Sequence, residues 1–258
     1  MSDRRSVSRL PEEPGGATRL DAVLDAVDRA RAGRPASEVP VLEVGCGNGN
    51  LAIPIAAAGY PVTGLEPDAQ SVEEARARCP VATAKFVVGL PLAFTPEVPP
   101  QIIVLSEVLE HVHDPQNLLS HLSKIAAPGA RLVLTVPNGY GPWELMNFAK
   151  KGFAAVGLGK PLRTLQRALG YTGQSLQSHN PHLEHVQFFR PGPLTRLVEA
   201  SGWRVLARRN LSMFVAVFPF SMVFRRWHGL ERWDSWLSDY APEAGASGWL
   251  WELESVRP

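Results

Sequence analysis

The segment Val41-Leu42-Glu43-Val44-Gly45-Cys46-Gly47-Asn48-Gly49 sets three glycines at alternating positions directly behind an apolar run. Glycine tolerates positive φ and lets the backbone approach a ligand closely, and a helix expected to begin at Asn50 or Leu51 would offer unpaired N–H groups to a carboxylate or phosphate. This is the chemistry of a loop that holds a nucleotide-type cofactor. Downstream, Leu65-Glu66-Pro67-Asp68 closes the next apolar run. An acid about 20 residues beyond such a loop can accept both hydroxyls of a ribose. A second constellation is Glu107, Glu110 and His111. Spaced i, i+3, i+4, they would share one face of a helical turn as two carboxylates and an imidazole. Such a face suits general-base catalysis on a hydroxyl, because imidazole titrates near about pH 6.5. It also suits a hard or borderline divalent ion completed by a distant histidine, for which His179, His182 and His185 are the candidates. The reading without metal is preferred. Bland alternatives stand beside each reading: a tight strand-to-helix turn for the glycines, a structural loop for the acids, and a solvated loop for the histidines.

The elements that must position these groups alternate. A helical pattern from Ala17 carries Leu20, Val23, Leu24 and Val27 and ends at Gly33 and Pro35. Apolar runs at 39–44, 61–65, 82–88, 101–105 and 131–136 read as strands, and the stretches 51–58, 69–78 and 115–126 between them read as helices. Continuous apolar runs suit strands buried on both faces of a parallel sheet. Residues 138–186 break the rhythm with Gly, Pro, Asn and His and read as an insertion, a lid in which Asn138, Tyr140 and Trp143 stand near the acceptor. A helix over 191–200 and strands over 203–208 and 248–253 resume the alternation. Residues 1–16 read as a mobile arm, followed by one unit over 17–258 with an aromatic extension from about 211. The apolar stretch 213–224 with Arg225 and Arg226 is assigned to a core strand and a following covering helix in preference to an interfacial membrane anchor, because Pro219 interrupts it and no single helical face is kept.

Composition narrows the classes. With 26 basic and 25 acidic residues among 258, no broad field attracts a phosphate backbone, so nucleic acid is disfavoured as a partner. Two cysteines, Cys46 and Cys79, support neither a thiolate zinc site nor a disulfide framework, which points to the cytoplasm. The N-terminal residues lack the apolar core of a secretion signal, and no run reaches the length of a spanning helix.

Glu43-x-Gly45-x-Gly47-x-Gly49, Glu66, Ser106-Glu107-Val108-Leu109-Glu110-His111 and Pro128-Gly129-Ala130 together resemble the class I S-adenosylmethionine-dependent methyltransferases. His185 to Pro191 and Ala200-Ser201-Gly202-Trp203 are similar to late segments of that family, so the likeness covers about residues 38–210. It implies an α/β fold: a Rossmann-like, doubly wound, seven-stranded and mostly parallel sheet with helices on both faces and a lid after the fifth strand. It also implies S-adenosylmethionine as cofactor. Glu43, Gly45, Cys46, Gly47, Asn48 and Gly49 would surround its methionine part, Glu66 its ribose and Pro67 its adenine. Gly89 and Leu90 stand where many relatives carry an adenine-contacting acid, so contact there would rest on backbone and apolar groups. Ser106 and Glu107 would line the transfer pocket, with His111 and Glu110 as catalytic residues. The Glu-x-x-Glu-His turn is similar to the metal-binding turn of ubiquinone-pathway O-methyltransferases and of small-RNA terminal 2′-O-methyltransferases.

These expectations add up to methyl transfer to a small-molecule, sugar or lipid-linked acceptor, with oxygen favoured. A non-catalytic cofactor-binding protein and a nicotinamide oxidoreductase are the alternatives, the latter opposed by the glycine spacing. Peripheral membrane contact stays open, as does the oligomeric state.

Overall fold

In the computed structural model, residues 16–142, 145, 146, 148, 152, 185–214 and 229–257 are described. Residues 1–15 of the expected N-terminal arm, most of the insertion with His179, His182 and Trp143, and all but the first two residues of the apolar stretch 213–224 lie outside them, while Gly16, expected in the arm, opens the first helix.

Helix α1 (Gly16–Ala30) leads into β1 (Val41–Val44), α2 (Ala52–Ala57), β2 (Val62–Glu66), α3 (Ala69–Arg78), β3 (Ala84–Val88), β4 (Ile102–Ser106), α4 (Pro115–Ile125) and β5 (Arg131–Pro137). After the insertion come α5 (Pro191–Ala200), β6 (Trp203–Ser212), α6 (Gly229–Tyr240) and β7 (Gly248–Ser255). The strands form one sheet in the order β3-β2-β1-β4-β5-β7-β6. β1 to β5 pair in parallel, and β7 runs antiparallel between β5 and β6. The expected doubly wound, mostly parallel, seven-stranded sheet is what the chain forms.

Apolar residues on both faces of the central strands explain the two layers. In β4, Ile102 and Val104 join a core with α1, α2 and α3, while Ile103 and Leu105 join a core with α4 and α5. All four are fully buried. Period-two alternation sends successive side chains to opposite faces, so an uninterrupted apolar run is required here. Asp68 and Asp114 stop the chain from entering its helices raggedly: Asp68 Oδ2 accepts from the Ser71 N–H at 2.9 Å and Asp114 Oδ1 from the Asn117 N–H at 3.0 Å. Trp203 anchors β6 to the second layer by donating its buried Nε1–H to the Leu119 carbonyl at 2.9 Å.

Differences from the expected boundaries are small at helices and larger in the C-terminal third. α2 begins at Ala52, because Asn48 to Leu51 form turns. β6 continues four residues past Arg208 to Ser212, where pairing with β7 through irregular steps overrides its polar composition. Met213 and Phe214 are bends, not the start of a strand, and the covering helix is α6.

Candidate active site

The parallel strands place their carboxyl ends along one edge, where open α/β sheets bind ligands. At the end of β1 the backbone turns through Gly45, Gly47 and Gly49, whose φ values are +73°, +50° and +85°. L-residues rarely adopt such values. The Gly45 and Cys46 N–H groups both donate to the Leu65 carbonyl, at 2.8 and 3.1 Å, which ties the loop to β2.

Glu66, at the end of β2, is the hub of this loop. Its Oε2 accepts from the Gly47 N–H and its Oε1 from the Asp68 N–H, each at 3.0 Å. A carboxylate offers about four lone-pair sites, so both oxygens keep acceptor capacity for hydroxyl donors. Beside it Pro67 is exposed, and Val88 and Leu90 at the end of β3 are 46% and 63% exposed. An apolar shelf thus flanks the acid. The Gly89 N–H donates to the Glu66 carbonyl at 3.0 Å and holds the shelf in place.

Glu43 and Cys46 are both buried. The Cys46 side chain is buried in the layer of α1 to α3, and burial pushes its thiol pKa up, so it packs as an apolar group and leaves only its backbone to the loop. Glu43 is 3% exposed, and its Oε2 has no hydrogen-bond partner among the described residues. Burial holds its carboxyl well above the ordinary value of 4.5, opposed by a backbone hydrogen bond from Ala52 and reinforced by the nearby Glu66 charge. Above that ordinary value the folded chain keeps a proton that the unfolded chain has lost. The stability from this group is therefore full below pH 4.5 and declines as pH rises toward the elevated value. In thermal unfolding scans, the stability of Glu43→Gln relative to the parent should increase as pH rises above the ordinary carboxyl value of 4.5. Parallel profiles would contradict the burial argument.

At the end of β4 the expected trio divides. Glu107 takes φ +54°, unusual for a side-chain-bearing residue, and the turn that follows is a three-residue 3-10 helix, Leu109–His111, not an α-helical turn. The left-handed residue turns Glu107 away from Glu110 and His111. Glu107 Oε1 instead accepts from Thr135 Oγ1 at 2.9 Å, Thr135 Oγ1 lies 2.8 Å from Ser106 Oγ, and Arg19 of α1 approaches Glu107 Oε2 at 3.7 Å. Glu110, 1% exposed, lies 3.8 Å from His111 Nε2 through its Oε1. The third member of this group is His185, whose ring meets that of His111 edge-on at 5.0 Å. One ligand atom from each of Glu110, His111 and His185 fits within 4.8 Å of the others.

His185 arrives on a strap, residues 185–190, laid across the loops after β4 and β5. The Val186 and Gln187 N–H groups donate to the Glu110 carbonyl at 2.9 and 3.0 Å, and the Gly139 N–H donates to the Phe189 carbonyl at 3.0 Å. Arg190 lies 3.8 Å above the Tyr140 ring. Asn138, 2% exposed, donates to the carbonyls of Ala244 and Ala246 at 3.0 and 2.8 Å and clamps the loop before β7. Around this edge Tyr140, Leu145, Phe148, Val186 and Phe188 are all at least 39% exposed, with the Phe148 and Phe188 rings 5.7 Å apart. An apolar rim therefore borders a polar floor. A Cβ at Gly139 would fall 2.6 Å from the Phe188 backbone, so Gly139→Ala must displace the strap. Because misplacing a group by about 1 Å can cost about 100-fold in rate, we expect turnover of an acceptor to fall by that order while cofactor affinity, read by calorimetry, is unchanged. A loss of cofactor affinity equal to the loss of turnover would show that the strap acts on the loop after β1 instead.

The methyltransferase-domain family profile matches residues 16–208. The chain belongs to this family. Its class is that of the S-adenosylmethionine-dependent methyltransferases, with S-adenosylmethionine as methyl donor, which sets the nicotinamide reading aside. A ubiquinone biosynthesis O-methyltransferase of Vibrio atlanticus is 30% identical over 163 residues, 62% of this chain and 60% of that protein, so the match spans less than two thirds of the relative. A probable S-adenosylmethionine-dependent methyltransferase of Mycolicibacterium smegmatis is 30% identical over 140 residues, 54% of this chain and 51% of the relative. Among solved structures, magnesium protoporphyrin IX methyltransferase of Synechocystis with bound S-adenosylhomocysteine superposes with TM-score 0.55 at 16% identity, covering 93% of this chain and 84% of that one. The N-methyltransferase NodS of Bradyrhizobium japonicum gives 0.57 at 13%, covering 96% and 91%. These two likenesses concern the fold.

Along this edge the groups fall into two sets. Glu43, Gly45, Gly47, Gly49 and Glu66 form one end, and Glu110, His111 and His185 the other. Thr135, Arg19 and the buried clamp Asn138 join the site from separate elements. Thr135 and Arg19 carried no signal in the sequence: one lies within an apolar strand and the other on an ordinary amphipathic helix. A cleft lined by Arg34, Gln101, Pro128 and Arg131 sits near the opposite, amino-terminal end of β4 and β5, away from these groups.

Proposed function

We propose that the chain transfers the methyl group of S-adenosylmethionine to a hydroxyl of a small-molecule acceptor bearing an apolar part, in the cytoplasm. The observation that carries this reading is the juxtaposition of the apolar rim, Tyr140, Leu145, Phe148, Val186 and Phe188, with the acid–imidazole floor. The O-methyltransferase name of the Vibrio relative supports oxygen as the accepting atom. Gly45, Gly47 and Gly49 bring backbone to the methionine part, Glu66 accepts from the ribose hydroxyls, and Val88, Leu90 and Pro67 face the adenine. His111 takes the proton of the acceptor hydroxyl as its oxygen forms a bond to the methyl carbon and the carbon–sulfur bond breaks. Glu110, 3.8 Å away, stabilises the imidazolium that results. Most of the rate comes from holding oxygen and methyl in line, since the sulfonium is already an excellent leaving group.

A second reading is favoured by one observation, the convergence of three ligand atoms within 4.8 Å. A carboxylate and two imidazoles form a donor set for a borderline divalent ion, which would be held by Glu110, His111 and His185 and would polarise an acceptor oxygen. Calorimetry with S-adenosylhomocysteine and NAD, followed by methylation assays on phenols with and without alkyl or prenyl tails, tests the main reading. Failure to bind S-adenosylhomocysteine would overturn it. For the floor, His111→Ala should lower turnover by about 100-fold to 10⁴-fold, and activity should survive chelation if His111 is the base. Loss of activity on chelation, with zinc or magnesium bound by the parent and not by His185→Ala, would establish the metal reading instead.

A further inference from the structure

Helix α6 is mounted with its polar side inward. Asp234 and Ser238 are fully buried, whereas Trp233, Trp236 and Tyr240 are 51%, 55% and 74% exposed. The spacing i, i+3, i+7 puts these three rings on one face. This orientation is specified by hydrogen bonds: the Asp234 carboxylate accepts from the Met213 and Phe214 N–H groups, both at 3.0 Å. Asn210 Nδ2 of β6 donates to the carbonyls of Ser238 and Ala241 at 2.7 and 2.9 Å. A buried carboxylate is costly unless so satisfied, so the helix cannot roll to hide its rings without exposing the Met213 and Phe214 amides and stranding Asn210. Trp236 and Tyr240 are also held edge-to-face at 5.1 Å.

We propose that this aromatic face docks the protein on an anionic lipid bilayer surface. Tryptophan and tyrosine pair an apolar ring with a polar handle and concentrate where hydrocarbon meets water. Arg209 is exposed on β6, against which α6 packs. Three half-exposed rings present on the order of 300 Å², well under the roughly 800 Å² per partner of a stable protein interface. That area suits shallow seating in a bilayer, not a second copy of the chain. From Tyr240 the chain passes within a few residues to Ala244 and Ala246, which Asn138 clamps at the carboxyl end of β5. Docking through α6 would thereby set the apolar rim near the lipid phase. That last consequence rests on the proposed acceptor, whereas the docking itself does not.

Flotation of the full chain with phosphatidylcholine vesicles, with and without phosphatidylglycerol, tests the proposal. The chain should float with the anionic vesicles, less with neutral ones and less at high salt. The triple variant Trp233→Ser, Trp236→Ser, Tyr240→Ser should lose about tenfold or more in partitioning while keeping its S-adenosylhomocysteine affinity. Asp239→Lys, a change at an exposed residue next to Tyr240, should strengthen anionic binding. Absence of flotation, equal flotation of the triple variant, or no response to Asp239→Lys overturns the proposal. So does a ring-dependent dimer in sedimentation without vesicle binding, which would assign the face to a second copy.

Discussion

Gly45→Ala should abolish measurable S-adenosylhomocysteine binding and lower stability. Two penalties coincide at this residue. Its φ of +73° costs a side-chain-bearing residue about 1–2 kcal/mol, and the added Cβ would overlap Val108 Cγ2, within the segment that leads to Glu110 and His111. Overpacking of this kind typically costs about 1–3 kcal/mol more. The loop has little freedom to relax, because the Gly45 and Cys46 N–H groups are both bonded to the Leu65 carbonyl. Calorimetry and a thermal melt measured on the same preparation check the expectation. Near-parent affinity would mean that the loop after β1 does not contact the cofactor. By contrast Gly129, also at positive φ but with nothing near its would-be Cβ, should accept alanine with only the backbone penalty and intact binding.

Glu66→Ala should weaken S-adenosylhomocysteine by about 100-fold or more. Hydrogen bonds to a charged group are worth about 1.5–3 kcal/mol each, and this carboxylate accepts from Gly47 and Asp68 before any ribose hydroxyl is added. The substitution thus removes a ligand contact and the brace of the loop together. Glu66→Gln keeps one acceptor oxygen and should fall between parent and alanine. If alanine and glutamine were equally mild, the ribose role would be wrong and the brace alone would remain. The two variants also differ in stability: alanine leaves the Gly47 and Asp68 N–H groups to water, glutamine only one of them.

Relations among near neighbours in the chain determined most of the architecture. The apolar runs at Val41–Val44, broken only by Glu43, and at Ile102–Leu105 specify strands covered on both sides, because side chains alternate between faces whatever the rest of the fold does. The glycine spacing and Glu66 were equally legible, since β1, its loop and β2 form one local unit. Where two segments distant in sequence meet, sequence spacing had nothing to say. Spacing grouped Glu107 with Glu110 and His111, but a left-handed φ at Glu107 sends that carboxylate to Thr135 and Arg19, and the strap brings His185 into the vacated role. Cys46 read as a loop residue, yet its thiol is core, because packing and not adjacency to glycines decides where a side chain points. The tail is the sharpest case. The sequence reads as a core strand followed by a covering helix, and the tertiary structure decides which side of that helix faces in: Asp234 and Ser238 are buried while Trp233 and Trp236 are half exposed. The bonds from Met213 and Phe214 to Asp234 cross from the end of β6 to α6, and buried hydrogen bonds to a charge outweigh the modest gain from half-covering aromatic rings.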